Sequence, residues 1–165
     1  MKDIEKSKSI RDGLRKGFQD GTSKMVQRRC YGYDAGPDGE LVINPDEAAV
    51  VCWIFARYLD GDSLGKIVAG LEEQGVRSPA GKPRWNREAL NKLLSNEKYT
   101  SWVLLQKSIS IGGSKIKNDG FMDRYLYSDT HEDIISDVVF NATQEEKFKR
   151  TKYPENTIAM NLRFQ

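Results

Sequence analysis

Glu40-Leu41-Val42-Ile43-Asn44-Pro45-Asp46-Glu47-Ala48 passes from strand to helix signals within a few residues. Leu41 to Ile43 is a short β-prone run. Asn44 then has the side chain of a helix N-cap, Pro45 has the fixed φ that suits the first helical position, and Glu47 completes a box-like N-terminus before Ala48, Ala49, Val50 and Val51. A helix is predicted from here to about Leu59, with Gly61 as its stop. Val50, Trp53, Ile54, Phe55, Tyr58 and Leu59 make it apolar over much of its circumference, so it is read as the central core helix.

Upstream, Tyr31 to Tyr33 and Glu40 to Ile43 flank Gly36-Pro37-Asp38-Gly39, and this turn chemistry between β-prone residues predicts a short hairpin. Earlier still, Ile4, Ile10, Leu14 and Phe18 form a thin apolar stripe over 4–19, enough for a helix without a full core-facing surface. Gly17, Gly21, Thr22 and Ser23 mark a break, and Lys24, Arg28 and Arg29 follow as a basic tether. Downstream, Asp62 is expected to open a second helix, with Leu64, Ile67, Val68 and Leu71 at helical spacing and Gly75 as its stop. After the loop Val76 to Trp85, a third helix begins at an Asn86 cap and turns Leu90, Leu93 and Leu94 inward. Its other face carries Glu88, Asn91, Lys92 and Ser95, with Arg87 at the flank of the first turn. Trp85, directly before this helix, is read as a core staple rather than a base-stacking platform. Trp102 to Ile111 and Arg124 to Ser128 read as strands of one long hairpin. Its mobile basic tip contains Gly112-Gly113-Ser114-Lys115 and Asn118-Asp119-Gly120. Ser136 or Asp137 opens a last helix through Arg150, anchored by Val139, Phe140 and Phe148, and 151–165 is expected to be loosely held.

With 165 residues and 38% apolar content the chain can bury one core and is too short for two large domains. No apolar run approaches the ~20 residues of a membrane span, and the charged N-terminus has no signal-peptide segment, so a cytoplasmic setting is expected. Cys30, Cys52 and a single His131 supply neither a disulfide framework nor a zinc quartet. No metal and no cofactor are expected, and Cys52 is read as packing within an apolar helix. The net charge of +2 is unevenly spread. Residues 1–30 hold nine Lys or Arg against four acids and 77–98 hold six against two, whereas 34–62 hold one base against seven acids and 129–155 four against seven. Such segregation allows a polyanion-facing side, since phosphate neutralisation with counterion release supplies most non-specific affinity for nucleic acid. A charge-mixed soluble surface has the same composition.

Two helices followed by a hairpin outline a winged helix-turn-helix, in which the second helix enters the major groove and the hairpin reaches toward the backbone. The expected fold is therefore α+β, a mainly helical winged-helix-like domain with two β-hairpins and an N-terminal linker helix. Lys82, Arg84, Arg87 and Lys92 can neutralise phosphates or donate to guanine edges, and Asn91 can bind adenine bidentately. Lys107, Lys115 and Lys117 on the long hairpin suit backbone contacts, and Lys24, Arg28 and Arg29 can follow the backbone or minor groove beside them. A solvated helix face with an ordinary surface hairpin is the alternative for the same residues. No catalytic residues are identified: His131 stands alone in Thr130-His131-Glu132-Asp133, the adjacent pairs Glu72-Glu73 and Glu145-Glu146 diverge on a helix, and Gly112 to Lys115 lacks phosphate-loop spacing.

Tyr31-Gly32-Tyr33, Leu41 to Ala48, Ile54-Phe55, Tyr58 to Gly61, Ile67, Leu71, Gly75, Gly81-Lys82, Trp85 and Asn96-Glu97-Lys98-Tyr99-Thr100 together resemble the recombinase domain of large serine site-specific recombinases. These belong to the resolvase/invertase superfamily, of the mobile-element or phage integrase type. His131 to Ser136 is similar to the segment after that family's long hairpin, and the match covers about Gly13 to Arg150. The resemblance implies a parent protein whose resolvase-like domain cuts DNA through a phosphoserine intermediate. It also implies dimers on a site, tetramers in synapsis, and a zinc ribbon after the recombinase domain. No serine and arginine motif of that kind precedes Tyr31 and no cysteine quartet follows, so a non-cleaving fragment is expected. Its parts would be the end of a connecting helix with a basic linker (1–29), the DNA-binding domain (30–150) and a tail (151–165). The expected partner is one attachment half-site in duplex DNA. A winged-helix transcription regulator and a protein-interaction module using the acidic Asp34 to Asp62 segment are the other readings.

Overall fold

In a computed structural model, residues 2–151 are described, so the expected tail lies outside the described residues but for Thr151. Helix α1 (Lys2–Gln19) is followed by a hairpin of β1 (Tyr33–Ala35) and β2 (Leu41–Ile43). Then come α2 (Pro45–Leu59), α3 (Leu64–Glu73), α4 (Arg87–Leu93) and a 3-10 turn, Glu97–Thr100. Strands β3 (Val103–Leu105), β4 (Ser108–Ile111), β5 (Ser114–Lys117) and β6 (Tyr125–Tyr127) precede the last helix, α5 (Asp137–Lys149). The architecture is α+β, with each sheet an antiparallel pair.

The core forms where α2 meets α3 and α4. Val51, Ile54 and Phe55 pack with Ile67, Val68 and Leu71 and with Leu90, Leu93 and Leu94, while Tyr33, Tyr99 and Ile135 close the other side. A Cβ at Gly70 would lie 2.9 Å from the Trp53 ring, so α3 approaches α2 as closely as a glycine allows. Local chemistry ends the elements as expected at several points. Asn44 Oδ1 accepts from the Glu47 N–H, and Asn86 Oδ1 accepts from the Glu88 N–H. At Gly75, φ +69°, the N–H groups of Gly75 and Val76 reach the carbonyls of Glu72 and Leu71, the paired bonds of a Schellman ending.

The structure departs from five local expectations. The Glu47 carboxylate does not fold back to Asn44. It accepts from the Gly32 N–H at 2.8 Å and from Arg29 at 3.0 Å, so it binds the tether and hairpin to α2. Helix α3 is capped by Ser63 rather than Asp62, whose buried carboxylate instead pairs with Lys66 at 2.7 Å and Arg57 at 2.5 Å. Those two cations hold the Asp62 carboxyl below the usual carboxylate range, the Lys66 hydrogen bond most of all. Cys52 is exposed, with its thiol donating toward the Ile134 carbonyl, so it is not a core-packing residue. The first hairpin starts at Tyr33, because Tyr31 and Gly32 lie in a turn closed by the Tyr33 N–H on the Cys30 carbonyl, with the Tyr31 ring 5.1 Å from that of Trp85.

The long hairpin differs as well. It is two successive ribbons rather than one, with β3 pairing β6 and, beyond a break, β4 pairing β5. Asn118 causes the break from an almost fully buried position: its amide donates to the carbonyls of Gln106 and Met122 and its oxygen accepts from the Met122 N–H. Gln106 adopts φ +62° there, turning the chain out of the β3 register. Gly112 and Gly113, both at positive φ, form the two-residue turn between β4 and β5 that matches strand twist.

Candidate nucleic-acid interface

Helix α4 is only seven residues long and gains its stability from its surroundings, since an isolated helix of that length is unstable in water. Leu90, Leu93 and Leu94 anchor one side in the core. Helix α5 holds its C-terminal end: Gln144 donates to the Leu94 carbonyl at 2.7 Å, and the Lys147 ammonium donates to the Asn91 carbonyl at 3.0 Å and to the Ser95 hydroxyl. A cation there also complements the negative end of the helix, while burial pushes the Lys147 pKa down. The face left over carries Arg87, Glu88, Asn91 and Lys92, all exposed. That ridge is the part of α4 available to a partner.

Trp85 is buried at 3% exposure, and its indole N–H donates to the Val76 carbonyl at 3.1 Å, which pins the loop ahead of α4. Within that loop Ser78 bonds Lys82 through both backbone and side chain, and Gly81, φ +75°, makes the turn. Lys82 and Arg84 are thus presented on a braced loop. A shallow groove lined by Pro79, Trp85, Asn91, Lys92, Asn96 and Lys107 joins this loop to α4 and to the base of the ribbon. A neighbouring groove runs from Pro79 to Arg29 on the tether. The tether, loop, helix and ribbon base therefore adjoin along one surface. Arg84 and Arg87 lie toward α3 instead: Arg84 is 3.6 Å from Glu72, and the Arg87 guanidinium rests on the backbone at Gly65. Lys115 and Lys117 stand on β5, exposed at the far ribbon.

The predicted cations differ in how they are partnered. Lys24, Arg28, Lys82, Arg87 and Lys115 have no ion pair among the described residues. Lys92 pairs with Glu88 at 2.8 Å and Lys117 with Asp119 at 2.7 Å, with all four side chains well exposed. Exposed pairs of this kind are screened by water and weak, so a phosphate can displace the carboxylate. Lys107 and Arg29 are held more firmly, by Glu97 (17% exposed) and Glu47 (23% exposed). Both also organise the site, because Glu97 in addition accepts from the Leu104 N–H at 3.0 Å.

Lys98 carries a role that charge counting did not reveal. Its ammonium donates to the carbonyls of Met25 (2.9 Å), Val26 (3.3 Å) and Arg28 (2.8 Å), clamping the tether against the 3-10 turn. Burial pushes its pKa down. The Lys98 carbonyl is itself held by His131 Nε2 and the Tyr33 hydroxyl, which gives the solitary histidine a structural position. The only sequence signal was that Lys98 sits inside Asn96 to Thr100, a motif without an assigned task. Among the described residues, no cluster of His, Cys, Asp and Glu could hold a metal ion, and no helix is long and apolar enough to cross a membrane.

A helix pair, a braced loop and a ribbon arranged in this way define a winged-helix-like module. The Recombinase family model matches residues 45–150, and the chain belongs to that family. Two solved structures share the fold. One is a crystal structure of an LSR-DNA complex (LSR, large serine recombinase), 23% identical with a TM-score of 0.55, covering 86% of this chain and 38% of the other. The second concerns the sequence requirements of the Listeria innocua prophage attP site, 24% identical with a TM-score of 0.52, covering 78% of this chain and 45% of the other. The chain thus spans less than half the length of either. A search of curated proteins gives no match.

Proposed function

We propose that this chain is a sequence-specific duplex-DNA-binding part of a serine site-specific recombinase and binds one attachment half-site. Strand exchange would belong to the parent protein, acting through a phosphoserine intermediate, as a dimer on each site and a tetramer in synapsis. Residues 1–29 would be the end of the connecting helix and its linker, and 30–150 the DNA-binding domain. The observation that carries the reading is the exposed polar ridge of α4, with braced cations on its flanks, in a chain of the Recombinase family. The likeness to structures solved for an LSR-DNA complex and an attP site supports duplex DNA as the partner.

In this reading Asn91 and Lys92 meet base edges and adjacent phosphates in the major groove. Lys82, Arg84 and Arg87 neutralise phosphate from the loop and first turn. Lys24, Arg28 and Arg29 follow the neighbouring backbone or minor groove, and Lys107, Lys115 and Lys117 contact the backbone from the ribbons. Titrating a duplex pool with the chain at increasing salt tests it. Reversing Arg84 and Arg87 to Glu should weaken binding by about 10- to 100-fold and flatten the salt slope by about 2. Unchanged affinity would remove both residues from the interface, and absence of any salt-dependent duplex binding would reject the DNA reading in favour of a protein-interaction module.

A further inference from the structure

The three DNA-contacting parts of the proposed interface meet at one 3-10 turn, Glu97–Thr100. The turn follows α4 directly, with Asn96 capping it through the Lys98 N–H. Glu97 fastens the ribbon base by accepting from the Leu104 N–H and the Lys107 ammonium, and Tyr99 enters the core with its hydroxyl donating to the Tyr31 carbonyl at 2.8 Å. A third side chain of the turn, Lys98, reaches the other way and gathers three carbonyls of the tether. An ammonium has three rotatable donors and no acceptor, so three convergent carbonyls use its full capacity. Those carbonyls lie between Lys24 and Arg29, within the stretch that carries the tether's positive charge.

We propose that Lys98 is a positioning residue for DNA recognition. By tying the carbonyls of Met25, Val26 and Arg28 to the turn that ends α4, it fixes the spacing along the duplex between the tether's contacts and those of α4. The proposal rests on the duplex-binding reading above. Lys98 acts through the tether rather than by touching DNA. A tether free of this clamp would still attract phosphate, but its contacts would no longer keep one distance from the bases beneath α4.

The test uses the whole chain and a duplex that the wild-type chain selects from a randomised pool. In Lys98→Met the apolar stem remains and the donors are lost. Hydroxyl-radical footprinting should then show protection under α4 retained and protection under the tether lost. The salt slope should fall by about 2 to 3, because three tether cations leave at roughly 0.9 each. A fall of only about 1 with tether protection intact would make Lys98 a direct phosphate contact and overturn the proposal, as would no change. A second measurement avoids the variant's folding altogether. Inserting one or two base pairs between the two protected segments should leave the wild-type tether protection at the same distance in base pairs from the α4 protection, because phosphates recur at every step. Tether protection that moves outward with the displaced sequence would overturn it. Failure of the wild-type chain to enrich any duplex would reject the DNA reading itself, separately from these outcomes.

Discussion

Gly32 shows why one residue in Tyr31-Gly32-Tyr33 has no substitute. It sits at φ +102°, where a side chain is strained, and an added Cβ would lie 2.9 Å from Ile134 Cδ1 and 3.3 Å from Val51 Cγ2. Its N–H donates to the Glu47 carboxylate, so any shift to relieve the clash would also loosen the first turn of α2. Its neighbours are equally committed: the Tyr33 ring stacks on Tyr99 at 6.2 Å, and Tyr31 meets Trp85 edge to face. Gly32→Ala is expected to destabilise the fold by about 2 kcal/mol through backbone strain, measured as a lowered urea midpoint with unchanged m-value. Duplex affinity per folded molecule should stay the same, which separates this position from Lys98.

Among the elements, α4 depends most on its neighbours. Its seven residues are shorter than a self-sustaining helix, and its exposed ridge can hold a fixed pose only because α5 seizes the carbonyls at its end. Lys147→Met should cost about 1 to 2 kcal/mol of local stability as those carbonyl bonds are lost. Hydrogen exchange should show faster opening of the α4 amides, while those in the middle of α2 keep their protection. Affinity for duplex should drop with little change in salt slope, because the lost cation supports the helix without facing phosphate. A slope reduced by about 1 would instead place Lys147 in the interface. The two ribbons follow a different logic. β4 and β5 are largely exposed, so Asn118 and the Gly112-Gly113 turn shape them rather than core burial.

Across the whole chain, His131 links the tether clamp to pH. Burial holds its pKa below the ordinary 6.5, with the bond to the Lys98 carbonyl opposing that shift. The unfolded chain therefore binds a proton more readily than the folded one. His131 contributes stability that is fully present above about pH 6.5 and is lost as pH falls through its lower folded value. Urea midpoints measured from pH 8 down to pH 5 should decline, and His131→Gln should flatten the part of that decline nearest pH 6. An identical pH profile for the variant would assign the decline to carboxylates such as Asp62, which titrate at lower pH.

Much of the fold was readable from short-range chemistry. Asn44-Pro45, Asn86, Gly75 and Ser136 start or stop helices by bonding within a few residues of themselves, so their neighbours in sequence suffice. The apolar spacing of Ile67, Val68 and Leu71 likewise named the buried face of α3 before any partner was known. The inward leucines and exposed ridge of α4 followed from the same periodicity. Side chains whose partners lie far along the chain could not be read in this way. Glu47 has the spacing of a capping box, yet a backbone N–H presented by the hairpin competes for it and wins. One expected hairpin became two because Asn118 finds a buried pocket of carbonyls that only the folded chain assembles. The sequence by itself determined which residues could begin, end and bury each element, since those preferences act over one or two turns. Tertiary packing decided which cations stand free, which are tied to carboxylates, and that Lys98 grips a segment some seventy residues earlier. Those outcomes depend on distances between elements, which no local preference encodes.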